Sequence, residues 1–167
     1  MKKILIVLSL TFLSISYLKA QDEILVRDCI NNYLDGITKG DTSMLNRAFH
    51  YQAMLRTINA STGKMLEFPV KTFVSRTPQG GIQAKTKIIS YSLIGQAAFA
   101  SIELAFADFK YVDYLSLLKF GNDWKIVCRV FSKADLNAVA TNVGGGAALS
   151  TTAKKGVKAK PKSDDGW

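Results

Sequence analysis

The sequence predicts an α+β domain in which N-terminal helices pack on one face of an antiparallel sheet. Two observations favour this class. Apolar residues recur at helical spacing between Asp22 and Lys39, whereas residues 84–131 form a run of extended apolar segments broken by short turns. Segments joined in this way predict an antiparallel meander, because strands that pair through tight turns need no crossover helix.

Three helices are predicted in the first half of the chain. The first has one apolar face and ends at Gly40, and Asp41 is placed to cap a second, short helix that runs to Phe49. Two short strands follow, over residues 53–58 and 64–68. Pro69 then suits the first turn of a third helix. The apolar face of the first helix consists of Val26, Ile30, Tyr33, Leu34 and Ile37.

The meander has four predicted strands, and its last turn allows the two faces of the sheet to be assigned. If the turn over residues 121–123 pairs Phe120 with Trp124, then Leu118 faces Ile126. Side chains alternate between faces along a strand. Even-numbered residues of the last hairpin, including Tyr114 and Ser116, would then face the helices, and odd-numbered residues would face outward. The predicted strands are Lys85–Ile94, Ala97–Ala107, Phe109–Phe120 and Trp124–Ser132.

This assignment leaves large apolar residues on the outer face. Leu115 and Leu117 belong to the odd-numbered set, and Phe99 alternates with two alanines on the preceding strand. A sheet face with that much apolar area is stabilised by a partner. We therefore expect a homodimer formed through the outer sheet face.

The first 20 residues have the layout of a secretory signal peptide. Two lysines precede an apolar run from Ile4 to Leu18, and Ala20 stands before Gln21. The alternative is a membrane anchor, but the run is short of the ~20 residues that cross a bilayer. We expect cleavage after Ala20, no transmembrane segment in the mature chain, and an exported protein, periplasmic or secreted.

The C-terminal segment, residues 136–167, differs in composition from the domain before it. It is poor in aromatic residues, contains Gly144-Gly145-Gly146, and carries five lysines against two acids after residue 150. Such a segment buries too little apolar surface to offset chain entropy, so we expect it to be disordered. The lysines are not interleaved with aromatic residues that could stack on bases, which argues against nucleic-acid binding. The domain itself is predicted to span residues 21–135.

The reactive residue types indicate neither a metal site nor a cofactor. His50 is the single histidine, so no histidine cluster is available for a metal. No nucleophile elbow or paired carboxylates occur. Cys29 and Cys128 could form a disulfide in an exported protein, but each lies in an apolar segment and also fits a small buried thiol. Asp113 and Glu103 would be of interest if buried, yet their alternation with neighbouring residues predicts the outer face.

Two stretches of the sequence resemble a known superfamily. The segment from Asn32 to Asp41, with Leu45 and Ala48-Phe49-His50, resembles the opening helices of the nuclear transport factor 2-like superfamily. Residues 113–119 and 122–127 resemble its closing hairpin. Within that superfamily, residues 22–133 look most like the exported bacterial subgroup described as "Putative lumazine-binding", close to the SnoaL-like branch. Tyr51 departs from the subgroup, which usually has proline after the Phe-His pair.

The resemblance implies a curved, cone-shaped sheet covered by helices on its concave face, with a pocket between them. The pocket tyrosine of the isomerase-like branch falls on Tyr33, where a phenol could donate a hydrogen bond to an oxyanion. The catalytic carboxylate of that branch would fall near Thr57, which cannot remove a proton, and the neighbouring Arg56 is a poor base. The resemblance therefore implies the fold and leaves the chemistry open.

Five residues are candidates for ligand contact: Tyr33, His50, Arg56, Tyr114 and Ser116. Each also has a structural interpretation. Tyr33 fits a core aromatic, His50 could serve either as a general base or as a cap of the second helix, and Arg56 could either clamp an anion or face solvent. Tyr114 and Ser116 follow from the face assignment above.

Two functions are compatible with these residues. The first is a non-catalytic exported domain that binds a small, partly apolar molecule or acts as a dimeric interaction module. The alternative is a cofactor-free isomerase, cyclase or dehydratase that uses Tyr33 and His50 in the cone pocket. The failure of proton transfer at Thr57 favours the first.

Overall fold

The computed structural model describes residues 2–139 of the 167-residue chain, with side chains from residue 20 onward. The predicted α+β class is confirmed: within these residues, helices cover the concave face of one curved sheet. The predicted leader forms the N-terminal part of the first helix. Its cleavage after Ala20 stays a prediction. Residues 140–167 of the predicted tail lie outside the described residues. In chain order the elements are α1 (Lys2–Lys39), α2 (Thr42–Ala48), β1 (Phe49–Ile58), β2 (Met65–Pro69), α3 (Val70–Arg76), β3 (Lys85–Ile94), β4 (Ala97–Ala105), β5 (Lys110–Phe120) and β6 (Asp123–Ala134).

The six strands form one sheet in the order β2-β1-β6-β5-β4-β3. The predicted meander occupies β3 to β6, and each of its neighbouring strands pairs antiparallel. The two short strands extend the sheet beyond β6, where β1 runs parallel to β6 and antiparallel to β2. Strand β1 also begins at Phe49, immediately after α2 and four residues earlier than predicted. The pairing of β1 with β6 brings the C-terminal ends of both strands to the same end of the sheet.

The helices bury the residues that the sequence pattern selects. The apolar face of α1 is buried in the core from Val26 to Ile37. Asp41 caps α2 as predicted, because its Oδ1 accepts hydrogen bonds from the backbone N–H groups of Ser43 (2.8 Å) and Met44 (3.1 Å). Gly36 lets α2 approach α1 closely, since a Cβ at this position would lie 2.9 Å from the Leu45 side chain.

The turn between β5 and β6 is shorter than predicted, which changes the facing pairs. Phe120 pairs with Asp123 across Gly121, whose φ of 65° favours glycine. The expected pair of Leu118 with Ile126 is therefore wrong, and Leu118 pairs with Lys125. A one-residue change of register moves the opposing side chains to the other face.

A β-bulge in β6 then shifts the pairing with β5 by one residue over the rest of the strand. Leu117 pairs with Ile126 and Ser116 with Cys128, so Val127 is the extra residue. Side chains change parity at this point. Trp124 and Ile126 are buried as predicted, but beyond Val127 the buried residues of β6 are Arg129 and Phe131.

On β5 the predicted faces are reversed. The odd-numbered residues Asp113, Leu115 and Leu117 are buried against the helices, whereas Tyr114 and Ser116 are exposed on the outer face. The physical reason is the shortened turn, which fixes a register one residue away from the one assumed.

The first helix is also tied to the last hairpin through polar contacts. The Asp22 carboxylate lies 2.6 Å from Nζ of Lys119 and accepts a hydrogen bond from Nε1 of Trp124 (3.2 Å). These two hydrogen bonds lower the pKa of Asp22 below its usual value. The side chains of Asp22 and Lys119 remain partly exposed, so the contact orients the helix more than it stabilises the fold.

The loop after α3 crosses the C-terminal end of α1 through two glycines. Gly40 and Gly81 have φ values of 72° and 76°, and the N–H of Ile82 donates a hydrogen bond to the carbonyl of Ile37 (3.0 Å). A Cβ on Gly81 would overlap the carbonyl group of Thr38. Gly80 has a φ of 85°, but a Cβ there would meet nothing within 4 Å.

We expect Gly81→Ala to destabilise the domain far more than Gly80→Ala. Both variants pay the cost of a left-handed backbone, about 1–2 kcal/mol, but only Gly81→Ala adds a collision with rigid backbone. Its total loss should exceed about 3 kcal/mol. Urea denaturation of the two variants checks this, and equal losses would contradict the close packing of the loop on α1.

Candidate functional site

A pocket with a volume of about 270 Å³ lies on the helix-covered face, at one end of the sheet. The C-terminal ends of β1 and β6, strand β2, the start of β5 and helix α3 enclose it. This size is near the lower limit of small-molecule pockets. Its lining residues from β1 and the following turn are Thr57, Ile58, Asn59 and Ala60; those from β2 and α3 are Leu66, Phe68, Thr72, Phe73, Arg76 and Thr77; those from β5 and β6 are Tyr111, Arg129, Phe131, Ser132 and Lys133.

Aromatic rings form much of the pocket wall. The ring of Phe131 meets Phe68 edge-on, with centroids 6.2 Å apart, and meets Tyr111 in the same way at 5.6 Å. Phe73, from α3, is buried and adds a fourth ring. Edge-to-face packing is a favourable arrangement for aromatic pairs, so these rings hold one another in place. The wall is therefore rigid and largely apolar.

The charged residues of the pocket all carry positive charge. Arg76, Arg129 and Lys133 line it, and its lining includes no aspartate or glutamate. Nζ of Lys133 also lies 4.2 Å from the centroid of the Phe109 ring, at cation–π distance. The pocket is thus an apolar hollow with cationic groups at its edge and base.

Arg129 belongs to a buried polar cluster with Asp113 and Tyr33. Its Nε donates to Oδ2 of Asp113 (2.7 Å), and its Nη2 donates to Oδ1 (3.1 Å), which gives a bidentate ion pair. The phenol of Tyr33 donates a hydrogen bond to the same Oδ2 (2.7 Å). The two charged residues are at most 2% exposed. The cluster therefore joins α1, β5 and β6 beneath the pocket.

Aromatic rings surround the guanidinium group as well. Its central carbon lies 4.0 Å from the ring centroid of Phe131, 5.5 Å from that of Phe73 and 5.6 Å from that of Tyr33. Contacts of this kind stabilise a desolvated cation. They offset part of the free energy that burying the arginine costs.

The cluster shifts the pKa values of Arg129 and Tyr33. Burial alone would lower the pKa of Arg129, but attraction to the Asp113 carboxylate and contact with Tyr33 raise it above its usual value. Burial raises the pKa of Tyr33 well above its usual value, against the opposing effect of Arg129. The arginine is therefore charged and the phenol neutral at any physiological pH.

Tyr33 lies in the core and not in the pocket. Its ring packs edge-on against Phe49 (5.1 Å) and Phe73 (6.1 Å), its side chain is fully buried, and its hydroxyl is engaged by Asp113. The structure therefore favours the core interpretation of this residue that the sequence left open.

His50 lies away from Tyr33's cluster, in a separate shallow depression beside Lys125. Its ring stacks on Phe120, with centroids 4.7 Å apart, and its Nδ1 accepts a hydrogen bond from the backbone N–H of Gln52 (3.3 Å). Neither Tyr33 nor His50 lines the pocket. The two residues expected to share one cavity are thus not brought together.

The other three candidates are on the outer face of the sheet. Arg56 pairs with Glu67 on the neighbouring strand and donates from Nη1 to Sγ of Cys128 (3.4 Å). Tyr114 and Ser116 are exposed there, so the expectation that their side chains face the helices is wrong. The outward position of Tyr114 and Ser116 results from the register of the last hairpin, described above.

Sequence reasoning missed the central pair of the cluster. The sequence pattern predicts the outer face for Asp113, which is fully buried, and does not single out Arg129. A signal existed in the sequence, because an acid and a base occur on adjacent, mostly apolar strands. Reading that signal required the register, which places Asp113 opposite Phe131 and Leu115 opposite Arg129.

The remaining reactive groups form no further site among residues 20–139. Both cysteines are free thiols. Cys29 is buried, its Sγ contacts the carbonyl of Ala48 (3.3 Å), and burial raises its pKa to about 12.

The described residues contain no group of histidine, cysteine and acidic side chains arranged for a metal ion. Nor does this part of the chain include a helix with the length and hydropathy to span a bilayer.

The family described as "Putative lumazine-binding" matches residues 21–132 of the chain. Among solved structures, nuclear transport factor 2-like proteins of unknown function share the fold. That from Shewanella baltica is 22% identical, with 68% of this chain and 94% of that one covered and a TM-score of 0.61. That from Silicibacter pomeroyi is 21% identical, with 69% and 98% covered and a TM-score of 0.61. That from Methylobacillus flagellatus is 24% identical, with 66% and 90% covered and a TM-score of 0.58. No curated protein matches the chain.

We expect removal of one partner of the buried pair to be far more harmful than replacement of both. Asp113→Leu leaves the Arg129 charge unpaired and should cost about 3–5 kcal/mol of stability, as should Arg129→Met. The double variant removes both charges and should recover most of this loss. Denaturant titration of the four proteins measures the coupling; additive losses would show that the pair does not act as a unit. Tyr33→Phe, which removes one hydrogen bond, should cost only about 1 kcal/mol.

Proposed function

The chain belongs to the "Putative lumazine-binding" family of the nuclear transport factor 2-like superfamily, and we propose that it is an exported, non-catalytic domain that binds a small, partly apolar molecule. The observation that carries this proposal is the pocket of about 270 Å³ on the covered face of the sheet. Concave, mostly apolar sites with a few polar groups are typical of ligand binding. A flat two-ring molecule, such as the lumazine in the family's name, is of the size that such a pocket accepts.

The aromatic wall supports binding more than catalysis. Phe68, Tyr111 and Phe131 offer apolar surface, and the pocket's arginines are poor bases for proton transfer. The alternative, an isomerase, cyclase or dehydratase using Tyr33 and His50, receives no support from the geometry, because neither residue lines the pocket. The Tyr33 hydroxyl, moreover, already donates to Asp113.

Export is proposed from the leader. Residues 1–20 carry the signal-peptide pattern, and the family match begins at Gln21, directly after the expected cleavage site. The free cysteines do not argue against this location, since Cys29 is buried on α1 and Cys128 lies on the outer face of β6, beside Arg56.

A pocket-filling substitution tests the binding proposal. Thr72 lines the pocket from α3, and Thr72→Trp should occupy the space and displace the ligand; the neighbouring exposed Lys71 gives the matched control Lys71→Trp. Mass spectrometry of organic extracts should detect a small molecule with the wild type and the control, and at least about tenfold less with Thr72→Trp. Equal recovery from Thr72→Trp and Lys71→Trp would contradict binding in this pocket.

We also propose that the domain is a homodimer formed through the outer sheet face. Leu115 and Leu117, from which the sequence pattern predicts an apolar outer face, are buried on the inner face. The dimer is therefore proposed from other residues. Phe99 remains outward as expected, and its ring stacks on that of Tyr114, with centroids 5.9 Å apart. Exposed apolar residues continue on both sides of this pair, and a contiguous patch of this kind marks an interaction surface. They are Leu118, Phe120 and Val130, each more than 40% exposed.

Phe99→Glu should weaken this dimer. A charge within the patch would be buried in the dimer without a partner, so the dissociation constant should rise at least about tenfold. Ile24→Glu is the matched control, because Ile24 is equally apolar and 56% exposed but belongs to α1. Sedimentation velocity over a concentration series measures both, and a monomeric wild type would refute the dimer.

A further inference from the structure

We propose that the ligand of this pocket is a flat aromatic carboxylate, whose ring lies between the aromatic walls and whose charged group meets Arg76. This inference rests on the proposed binding function and adds the chemical class of the ligand.

Arg76 is a pocket cation whose guanidinium group is available to a ligand. It lies in the last turn of α3, is exposed, and lines the pocket. Among the described residues no ion pair or hydrogen bond engages its guanidinium group. A cation near a helix C-terminus is favourable in itself, but Lys71, at the other end of the same helix, is equally exposed and does not line the pocket. The position of Arg76 is thus suited to contact a bound anion.

Arg129 provides a second, fixed positive group at the base of the pocket. The two hydrogen bonds to Asp113 use Nε and Nη2, and neither uses Nη1. The ion pair holds the guanidinium plane in one orientation, so a ligand would meet a preorganised group and lose little free energy in ordering it. Asp113 itself is fully buried behind Arg129 and is not among the pocket's lining residues.

The charges at the pocket favour an anionic ligand over a cationic one. The lining includes no carboxylate, Arg76 has no ion-pair partner among the described residues, and the carboxylate that pairs with Arg129, that of Asp113, lies behind the lining. An anion is attracted by this arrangement and meets no like charge at the lining, whereas a cation would be repelled. The guanidinium fork matches a carboxylate in geometry.

The wall selects a flat molecule with an apolar body. The ring of Phe131 is edge-on to both Phe68 and Tyr111, so the wall presents apolar surface in more than one direction. A planar ring system can make offset or edge contacts with all of them. A phosphate or another compact inorganic anion would leave this apolar surface without contact.

Two isosteric probes separate the anion inference from the proposed function. 2-Naphthoate carries a carboxylate, and 2-naphthamide has the same ring and a neutral group of similar size. We expect the wild-type protein to bind naphthoate about tenfold more tightly than naphthamide in low salt, as measured by equilibrium dialysis. The preference should fall as salt is added, because Arg76 is exposed.

The matched variants are Arg76→Gln and Lys71→Gln. Arg76→Gln should bring the affinities for the two probes to within about threefold of each other, and Lys71→Gln should leave the tenfold preference unchanged. Equal binding of both probes by the wild type would overturn the anion inference and leave the pocket proposal in place. A preference that survives Arg76→Gln would overturn the role of Arg76. Absence of binding by both probes would overturn the anion inference, and recovery of a small molecule in the extraction experiment above would then still support the pocket proposal.

Discussion

The ion pair between Arg129 and Asp113 is the constraint on which the rest of the structure depends. Burying two charges costs several kcal/mol per ion, and only good geometry offsets this. The bidentate contact, the Tyr33 hydroxyl and the ring of Phe131 together supply that geometry. Because each partner comes from a different element, the pair is satisfied only when α1, β5 and β6 are packed in one register. It thereby specifies the arrangement of the cone as well as contributing to its stability.

Much of the fold could be predicted because its signals are local. The apolar face of α1, the cap at Asp41 and the glycines at the strand ends each depend on a few adjacent residues. The register of the last hairpin does not. Whether two or three residues form the turn at Gly121 changes the facing pairs by one position, and the sequence is compatible with both. That single ambiguity reversed the faces of β5, and with them the positions of Tyr114, Ser116 and Asp113.

The candidate site was harder to predict than the fold because it depends on contacts between distant segments. The pocket combines α3 with the ends of β1 and β6, and the parallel pairing of those two strands is not visible in any local pattern. The superfamily resemblance indicates Tyr33 as a pocket residue, yet its hydroxyl donates a hydrogen bond in the core to a residue 80 positions away. A chemically suitable residue type and a correct helix were therefore insufficient to place it in a cavity.

The bulge at Val127 explains how one strand serves the core and the pocket in turn. Before the bulge, β6 places Trp124 and Ile126 in the core; after it, the inward residues are Arg129 and Phe131. Without the extra residue, strict alternation would place Cys128 and Val130 inward and leave Arg129 facing outward, away from Asp113. The change of parity thus gives the pocket its fixed cation and one of its aromatic walls. It also leaves Val130 on the outer face, where it extends the apolar patch of Phe99 and Tyr114. One irregularity in one strand therefore shapes both the pocket and the exposed apolar patch on the outer face.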